Sequence, residues 1–158
     1  MSLIGILDDD IEFRQKEMVK AVSSLGTEVK SICHDNAKDF MEWLAGALPS
    51  ICLLSLDHDL GPSRERDGER FEPGTGMEIV DFLVLKRPMF PIIVHSSNPI
   101  DGPTMVRRLK EAGWRVQRVV PFLDHWIPAV WLKKVQEALD AHRLDGWKCF
   151  TRPKRKTL

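Results

Sequence analysis

The stretch Ile51-Cys52-Leu53-Leu54-Ser55-Leu56, followed directly by Asp57-His58-Asp59, carries the clearest information about the fold. Its first six residues are almost continuously apolar, which is typical of a central parallel β-strand covered on both faces. The acidic residues begin where such a strand ends. The stretch therefore predicts an α/β protein whose polar groups gather at the carboxyl ends of buried strands.

Working outward, short apolar runs alternate with longer helical patterns along the whole chain. This alternation is typical of βα units and a parallel sheet. We predict a flavodoxin-like, doubly wound five-stranded sheet with five helices on its two faces, and ligands beyond the carboxyl ends of the strands. The predicted strands are 3–7, 28–33, 51–56, 91–94 and 115–120, and the predicted helices are 11–25, 36–47, 77–86, 104–112 and 129–143.

Size, charge and cysteine content narrow the class of protein. A chain of 158 residues suits one domain. Its 23 basic and 23 acidic side chains balance, so no net charge attracts the protein to nucleic acid or to membranes. No apolar run approaches the roughly 18 residues that span a bilayer. Three cysteines without metal-ligand spacing indicate a reducing cytosol. We therefore expect a cytoplasmic, membrane-free protein with one domain over 1–146 and a basic tail over 147–158.

Polar residues follow three of the predicted strands. Asp8-Asp9-Asp10 follows the first, Asp57-His58-Asp59 the third, and His95-Ser96-Ser97-Asn98 the fourth. If the first and third strands are neighbours, several carboxylates share one crevice, and like charges about 4 Å apart repel by roughly 4 kcal/mol at an effective dielectric near 20. Such a cluster must bind protons or a cation. Oxygen ligands favour Mg²⁺, Mn²⁺ or Ca²⁺, so the sequence predicts a divalent-metal site.

Helix capping is the simpler interpretation of the first acidic group. Aspartate is a strong N-cap and suits the positive end of a helix, and Asp10 is our candidate for that role. One residue is enough for a cap. Three consecutive aspartates that face another acidic strand end are better explained by a metal.

Across residues 3–143 the chain resembles the receiver domains of response regulators. The acidic pair of that family falls on Asp8-Asp9, its phosphoacceptor aspartate on Asp57, and its strand-four hydroxyl on Ser96. The residue that lends a backbone carbonyl to the metal falls on Asp59. The resemblance implies an Mg²⁺ site that carries an aspartyl phosphate, with a histidine kinase as the partner.

One position departs from that pattern. The family's Lys-Pro pair after the fifth strand falls on Val120-Pro121, so the ammonium that would pair with a phosphoryl oxygen is missing. Arg118 lies two residues earlier, on the same face of the strand, and is a candidate replacement. A solvated strand residue is the simpler interpretation of Arg118. The missing lysine argues against ordinary phospho-switching.

A second resemblance is closer. The motifs Leu56-Asp57-His58-Asp59-Leu60-Gly61 and His95-Ser96-Ser97-Asn98-Pro99 are together similar to the branch called cyclic-phosphate processing receiver domains. The resemblance implies action on the cyclic phosphate of a phosphate-containing small molecule, such as a nucleotide, or of an RNA end. Mg²⁺ is the expected cofactor, with Mn²⁺ as the alternative.

The chemistry of cyclic phosphodiester opening assigns expected roles to these residues. A metal must neutralise phosphoryl charge, and another group must activate water or protonate the leaving oxygen. Each role has an alternative: a bond to a loop carbonyl for His58, a structural role for His95, and a turn for Asn98-Pro99. The candidates are Asp57, His58, His95 and Ser96 for catalysis, Ser96, Ser97, Asn98 and Arg118 for phosphate binding, and Asp8, Asp9, Asp57 and Asp59 for the metal.

Two features outside these motifs bear on function. The polar segment 61–74 carries Arg64, Arg66 and Arg70 and is predicted to be a loop, either a lid over the metal or a solvated loop. Trp126 and Trp131 crowd the last helix, where an exposed pair would indicate a homodimer.

Three functions remain open at this level. The leading hypothesis is a metal-dependent domain that handles phosphate esters. The first alternative is a receiver phosphorylated on Asp57 in a two-component phosphorelay. The second alternative is a catalytically silent interaction module with a receiver fold.

Overall fold

The computed structural model describes residues 1–144, and the predicted tail lies outside them. Five parallel strands form the main sheet, and helices follow them in alternation, as predicted. The strands are β1 (Ser2–Leu7), β2 (Val29–His34), β3 (Ile51–Leu56), β4 (Arg64–Arg66), β5 (Glu69–Phe71), β6 (Ile92–Val94) and β7 (Val116–Arg118). The helices are α1 (Arg14–Ser23), α2 (Ala37–Ala47), α3 (Gly76–Leu83), α4 (Asp101–Glu111) and α5 (Leu132–Leu144), with a short 3₁₀ turn at Leu48–Ser50.

The strand order β2-β1-β3-β6-β7 makes β1 and β3 neighbours. Leu7 pairs with Leu56 at their carboxyl ends, and the Asp57 backbone N–H donates to the Leu7 carbonyl at 2.9 Å. The chain leaves β1 toward one edge of the sheet and continues from β3 toward the other. The crevice above these two strands is therefore the topological switch point, where ligands bind in open α/β sheets.

Apolar packing covers both faces of the sheet. Successive side chains of β3 point to opposite faces, so Leu53 joins one buried cluster and Leu54 the other. One cluster includes Phe40 of α2, and the opposite cluster includes Trp131. The continuous apolar run 51–56 is thus explained by a strand without a solvent face.

Helix α1 begins at Arg14, three residues later than predicted. The Asp10 carboxylate accepts a hydrogen bond from the Phe13 backbone N–H at 2.9 Å and closes a separate turn before the helix. Asp10 therefore caps this turn and not the helix, which the capping interpretation had assigned to it. Phe13, which directly precedes the helix, is exposed.

The segment 61–74 is not the plain loop that was predicted. It contains an antiparallel hairpin in which β4 pairs with β5. Asp67 and Gly68 form its tip with φ values of 55° and 79°, the left-handed backbone that a two-residue Asp-Gly hairpin turn requires. The guanidinium groups of Arg64 and Arg66 lie over the Phe71 ring, at 5.3 and 4.9 Å from its centre. This arrangement orders the segment.

The approach to α5 also differs from the prediction. Residues Ile127–Trp131 are π-helical, and the α-helix starts only at Leu132. Trp126 and Trp131 are 7% and 0% exposed, so they do not form the exposed pair on which the homodimer expectation depended. Within residues 1–144, no helix has both the length and the apolar character needed to cross a membrane.

Candidate metal centre

Asp8 lies at the middle of the acidic crevice and is fully buried. It directly follows β1, and its backbone N–H donates to the His34 carbonyl at 3.1 Å, which fixes the chain at this point. Asp57 follows the neighbouring strand and is 7% exposed. Parallel pairing of β1 with β3 therefore brings the two predicted metal ligands together, because carboxyl ends of parallel strands share one edge of the sheet.

Arg14, which the sequence analysis did not single out, provides the positive charge of this crevice. Its Nη2 atom donates to Asp8 Oδ1 at 2.9 Å, to Asp9 Oδ1 at 3.0 Å and to Asp57 Oδ2 at 3.2 Å. Its Nε atom lies 3.0 Å from both Asp8 oxygens. One cation therefore connects three predicted metal ligands. The only signal in the sequence is a single arginine that follows an acidic segment at the start of a helix.

The three carboxylates differ in their pKa values. Burial raises the pKa of Asp57, with the charge of Asp8 adding to it and those of His95 and Arg14 opposing it. Burial is also the main cause that raises the pKa of Asp9. Burial alone would raise the pKa of Asp8 too, but hydrogen bonds and charges from His95 and Arg14 outweigh it, so that pKa is lowered. Asp8 is therefore the carboxylate that stays ionised most firmly.

His95 is fully buried, and both of its ring nitrogens have partners. Nε2 lies 3.0 Å from Asp8 Oδ2, and Nδ1 lies 2.7 Å from Ser55 Oγ. Ser55 Oγ also accepts a hydrogen bond from Trp131 Nε1 at 2.8 Å. A hydroxyl has one proton to donate, so the arrangement is satisfied when Ser55 donates to Nδ1 and His95 donates from Nε2 to Asp8. This geometry favours the structural alternative for His95.

His58 lies on the other side of the crevice and is 8% exposed. Its Nδ1 atom contacts Asp59 Oδ1 at 2.8 Å, and Nε2 lies 3.7 Å from Asp101 Oδ2. Its backbone N–H donates to Asp57 Oδ1 at 2.7 Å. The ring is therefore held by carboxylates, and not by a loop carbonyl as its alternative interpretation supposed.

The predicted phosphate-binding residues form the loop after β6. Ser96 is fully buried, and its hydroxyl accepts a hydrogen bond from the Asn98 backbone N–H at 3.2 Å, whereas Ser97 is exposed. The Asn98 side chain accepts from the N–H groups of Ile100 and Asp101 at 3.0 and 2.8 Å, which is the expected turn. It also donates to Asp59 at 3.2 Å.

Arg118 braces this loop from β7. Its Nη2 atom donates to the carbonyl oxygens of Ser96 and Asn98 at 3.2 and 3.0 Å. Val120, at the position of the family's lysine, is 48% exposed and offers no charge. Arg14 is thus the cation that contacts the acidic crevice, and Arg118 shapes the loop beside it.

The donor set fits a divalent metal. Carboxylate oxygens of Asp8, Asp9 and Asp57 converge on one nitrogen of Arg14, which marks a point where a cation is stabilised. Ligand atoms of Asp8, Asp57 and His95 lie within 4.8 Å of one another. Hard oxygen ligands of this kind suit Mg²⁺ and Mn²⁺. His95 already donates to Asp8 and fits the outer shell that orients a ligand.

Comparisons with known proteins agree with this architecture. Residues 4–111 match the model of a family described as the cyclic-phosphate processing receiver domain. Among curated proteins, none matches the chain.

Solved structures of receivers share the fold. A response regulator receiver domain protein from Clostridium thermocellum is 14% identical, with a TM-score of 0.63 over 91% of this chain and 98% of that one. A CheY-like receiver protein from Methanospirillum hungatei JF-1 is 16% identical, with a TM-score of 0.63 over 92% and 99%. A chain in the structure of a CheX–CheY–BeF₃–Mg²⁺ complex from Borrelia burgdorferi is 16% identical, with a TM-score of 0.56 over 89% and 87%. At these identities the likeness concerns the fold alone.

Proposed function

Because the chain belongs to the family of cyclic-phosphate processing receiver domains, we propose that it handles phosphate esters at a divalent-metal site and opens cyclic phosphates of nucleotides or RNA ends in the cytoplasm. One observation carries the proposal. Oxygens of Asp8, Asp9 and Asp57 converge within 3.2 Å of a single cationic nitrogen at the switch point of the sheet. That is a site built for a positive charge beside an open loop.

Different residues of this chain have different roles in the proposed reaction. Asp8, Asp9 and Asp57 hold the metal, with the Asp59 backbone carbonyl as a further ligand. A bound Mg²⁺ or Mn²⁺ neutralises charge on phosphoryl oxygens. Ser97 is exposed in the loop Ser96–Asn98, and this loop is proposed to supply hydrogen-bond donors to a phosphate.

The proton-transfer role fits His58 better than His95. Ser55 and Asp8 engage both nitrogens of the buried His95, which makes it a positioning residue for Asp8. His58 lies nearer the surface between Asp59 and Asp101, where its ring can reach a bound phosphate ester. We propose that His58 protonates the leaving oxygen or activates water, with Asp59 orienting its ring.

Phosphorus NMR tests the proposal directly. The purified chain is incubated with a nucleoside 2′,3′-cyclic phosphate and Mg²⁺, with an EDTA control. Conversion of the cyclic signal to a monoester only in the presence of metal is the expected result. An unchanged spectrum across nucleoside 2′,3′- and 3′,5′-cyclic phosphates would contradict the proposal. His58→Asn should slow the conversion while leaving metal affinity unchanged.

A phosphoacceptor receiver remains the second candidate function. It is supported by the placement of Asp57 at the end of β3 next to Asp8, and a similar fold was solved with BeF₃ and Mg²⁺. A histidine kinase would then be the partner. Acetyl phosphate and Mg²⁺ should add one phosphoryl group to Asp57 by intact mass, and Asp57→Asn should abolish the addition. No mass change under conditions that label a known receiver would exclude this function.

A further inference from the structure

The Nη2 atom of Arg14 stands where the carboxylates of the crevice converge. It lies 2.9, 3.0 and 3.2 Å from oxygens of Asp8, Asp9 and Asp57. The shortest of these contacts has the length of a charge-assisted hydrogen bond. Mg²⁺ lies about 2.1 Å from its oxygen ligands. An ion bound by all three oxygens would therefore stand beside the guanidinium, and two cations so close repel each other.

Arg14 is placed so that it can leave without unfolding the domain. Its side chain is 27% exposed, whereas that of Asp8 is completely buried. It begins α1, and the residues before it form a turn at the surface. Withdrawal requires rotation of a long side chain toward solvent. Asp8 and Asp57, in contrast, are fixed at strand ends by backbone hydrogen bonds to His34 and Leu7.

The charges make displacement favourable for a divalent ion. The three carboxylates carry up to three negative charges, whereas the guanidinium carries a single, permanent positive charge. A divalent ion neutralises more of that charge than Arg14 does. A monovalent ion offers no more charge than Arg14 and lacks its five tethered donors. A divalent ion is therefore expected to displace Arg14, and a monovalent ion is not.

We propose that Arg14 is the built-in counter-cation of the metal centre, and that a divalent ion binds by displacing its guanidinium. Arg14 then determines both the affinity and the charge selectivity of the site. This inference rests on the metal site of the proposed function, but not on turnover of a cyclic phosphate.

The test is calorimetric titration of the full chain with Mg²⁺ and with Mn²⁺. Arg14→Ala should bind both ions at least about tenfold more tightly than the wild type, and Arg14→Lys should lie between them because an ammonium lacks the planar fork. Arg107→Ala is the control, since Arg107 pairs with Glu111 on the exposed face of α4. Unchanged or weaker binding by a folded Arg14→Ala protein, or no binding by either protein, would overturn the proposal.

Competition with free methylguanidinium distinguishes displacement of the Arg14 side chain from a structural role of Arg14. Millimolar methylguanidinium should weaken Mg²⁺ binding to Arg14→Ala and leave the wild type unchanged. Absence of this competition would count against displacement. If Arg14→Ala folds only when Mg²⁺ is present, as read by circular dichroism, the ion has taken over the place of the guanidinium, which supports the proposal. If Arg14→Ala binds Mg²⁺ more tightly but the wild type does not turn over cyclic phosphates, the cyclic-phosphate activity is rejected and this inference stands. If the wild type turns over cyclic phosphates but Arg14→Ala binds Mg²⁺ as the wild type does, the activity stands and this inference is rejected.

Discussion

The imidazole of His95 lies 3.0 Å from the carboxylate of Asp8, and neither side chain is accessible to solvent. Both oxygens of Asp8 have partners. Oδ2 contacts His95 inside the domain and also Arg14 Nε, and Oδ1 contacts Arg14 and the Asp10 backbone N–H. The central carboxylate of the candidate metal centre is therefore held from the core side by an imidazole.

Replacement of His95 should weaken both the fold and the metal site. His95→Phe removes the donor to Asp8 and the acceptor for Ser55, and it leaves the buried Asp8 Oδ2 with Arg14 Nε but without its partner on the core side. We expect a loss of about 2 to 4 kcal/mol in the free energy of unfolding and a 10- to 100-fold loss of Mg²⁺ affinity. Urea denaturation in EDTA and calorimetry measure the two effects. Values within error of the wild type would show that the contact contributes nothing.

Gly76 should not tolerate a side chain. A Cβ atom there would lie 2.0 Å from the Asp57 carbonyl oxygen, so α3 would be pushed away from the metal centre. We expect Gly76→Ala to lower the free energy of unfolding by about 1 to 3 kcal/mol. Gly46→Ala is the matched control, because no atom lies within 4 Å of its added Cβ and the position is helical. It should stabilise by roughly 0.5 to 1 kcal/mol, and equal signs for the two variants would contradict the packing argument.

Metal binding should raise the stability of the wild type and not that of the acidic variants. Mg²⁺ at 100 times its dissociation constant adds about 2.7 kcal/mol. Asp8→Asn and Asp57→Asn should lose this gain together with any turnover, whereas Asp81→Asn, on the exposed pair with Arg108, should keep it. Thermal unfolding with Mg²⁺ or EDTA provides the measurement. An absent shift in the wild type would instead favour a silent interaction module.

The hairpin formed by β4 and β5 is expected to stabilise the fold and not to close over the metal centre. Arg64 donates to Asp35 at 2.6 Å and lies over Phe71, so its charge is already engaged. Arg64→Gln should cost at most about 1 kcal/mol, because both partners of the ion pair are partly solvated. The KM for a cyclic phosphate should not change. A several-fold rise in KM for this variant would restore the lid interpretation.

Cys33 should make the domain sensitive to alkaline pH. Burial, with a smaller effect of the Asp8 charge, raises the pKa of its thiol from 9.0 to about 11. Below pH 9 both states keep the proton, so Cys33 has no effect. Between pH 9 and 11 the unfolded chain loses its proton first, and stability falls as the pH rises. The difference in urea midpoint between the wild type and Cys33→Ala should therefore move in this window, and a constant difference would refute the shift.

Hydrophobic patterning was sufficient to predict the main sheet. The run 51–56 matches β3 at both ends, because a strand buried on both faces has no polar position that could blur its limits. The same logic predicted that Asp8 and Asp57 would meet. Neighbouring parallel strands bring their carboxyl ends together whatever the intervening chain does.

Other features depend on contacts that no local pattern encodes. Arg14 reaches Asp57 across 43 residues, so its role follows only from the arrangement of β1, β3 and α1. The partners of His95 include Ser55, which a strand pattern assigns simply to an apolar run. The hairpin is different, since Asp67-Gly68 is a recognised turn signal and a local pattern does encode it.

The hydrogen bonds that join Asp8, His95, Ser55 and Trp131 give the domain an intrinsic optical probe. The indole of Trp131 is shielded from water and donates to Ser55, while Trp126 stacks on His95 with ring centres 6.0 Å apart. Two chromophores thus touch the residues that hold the central carboxylate. Near-ultraviolet circular dichroism and fluorescence emission spectra of the unlabelled protein should change when one cation replaces another at Asp8. Metal occupancy of the site can therefore be followed spectroscopically without a label.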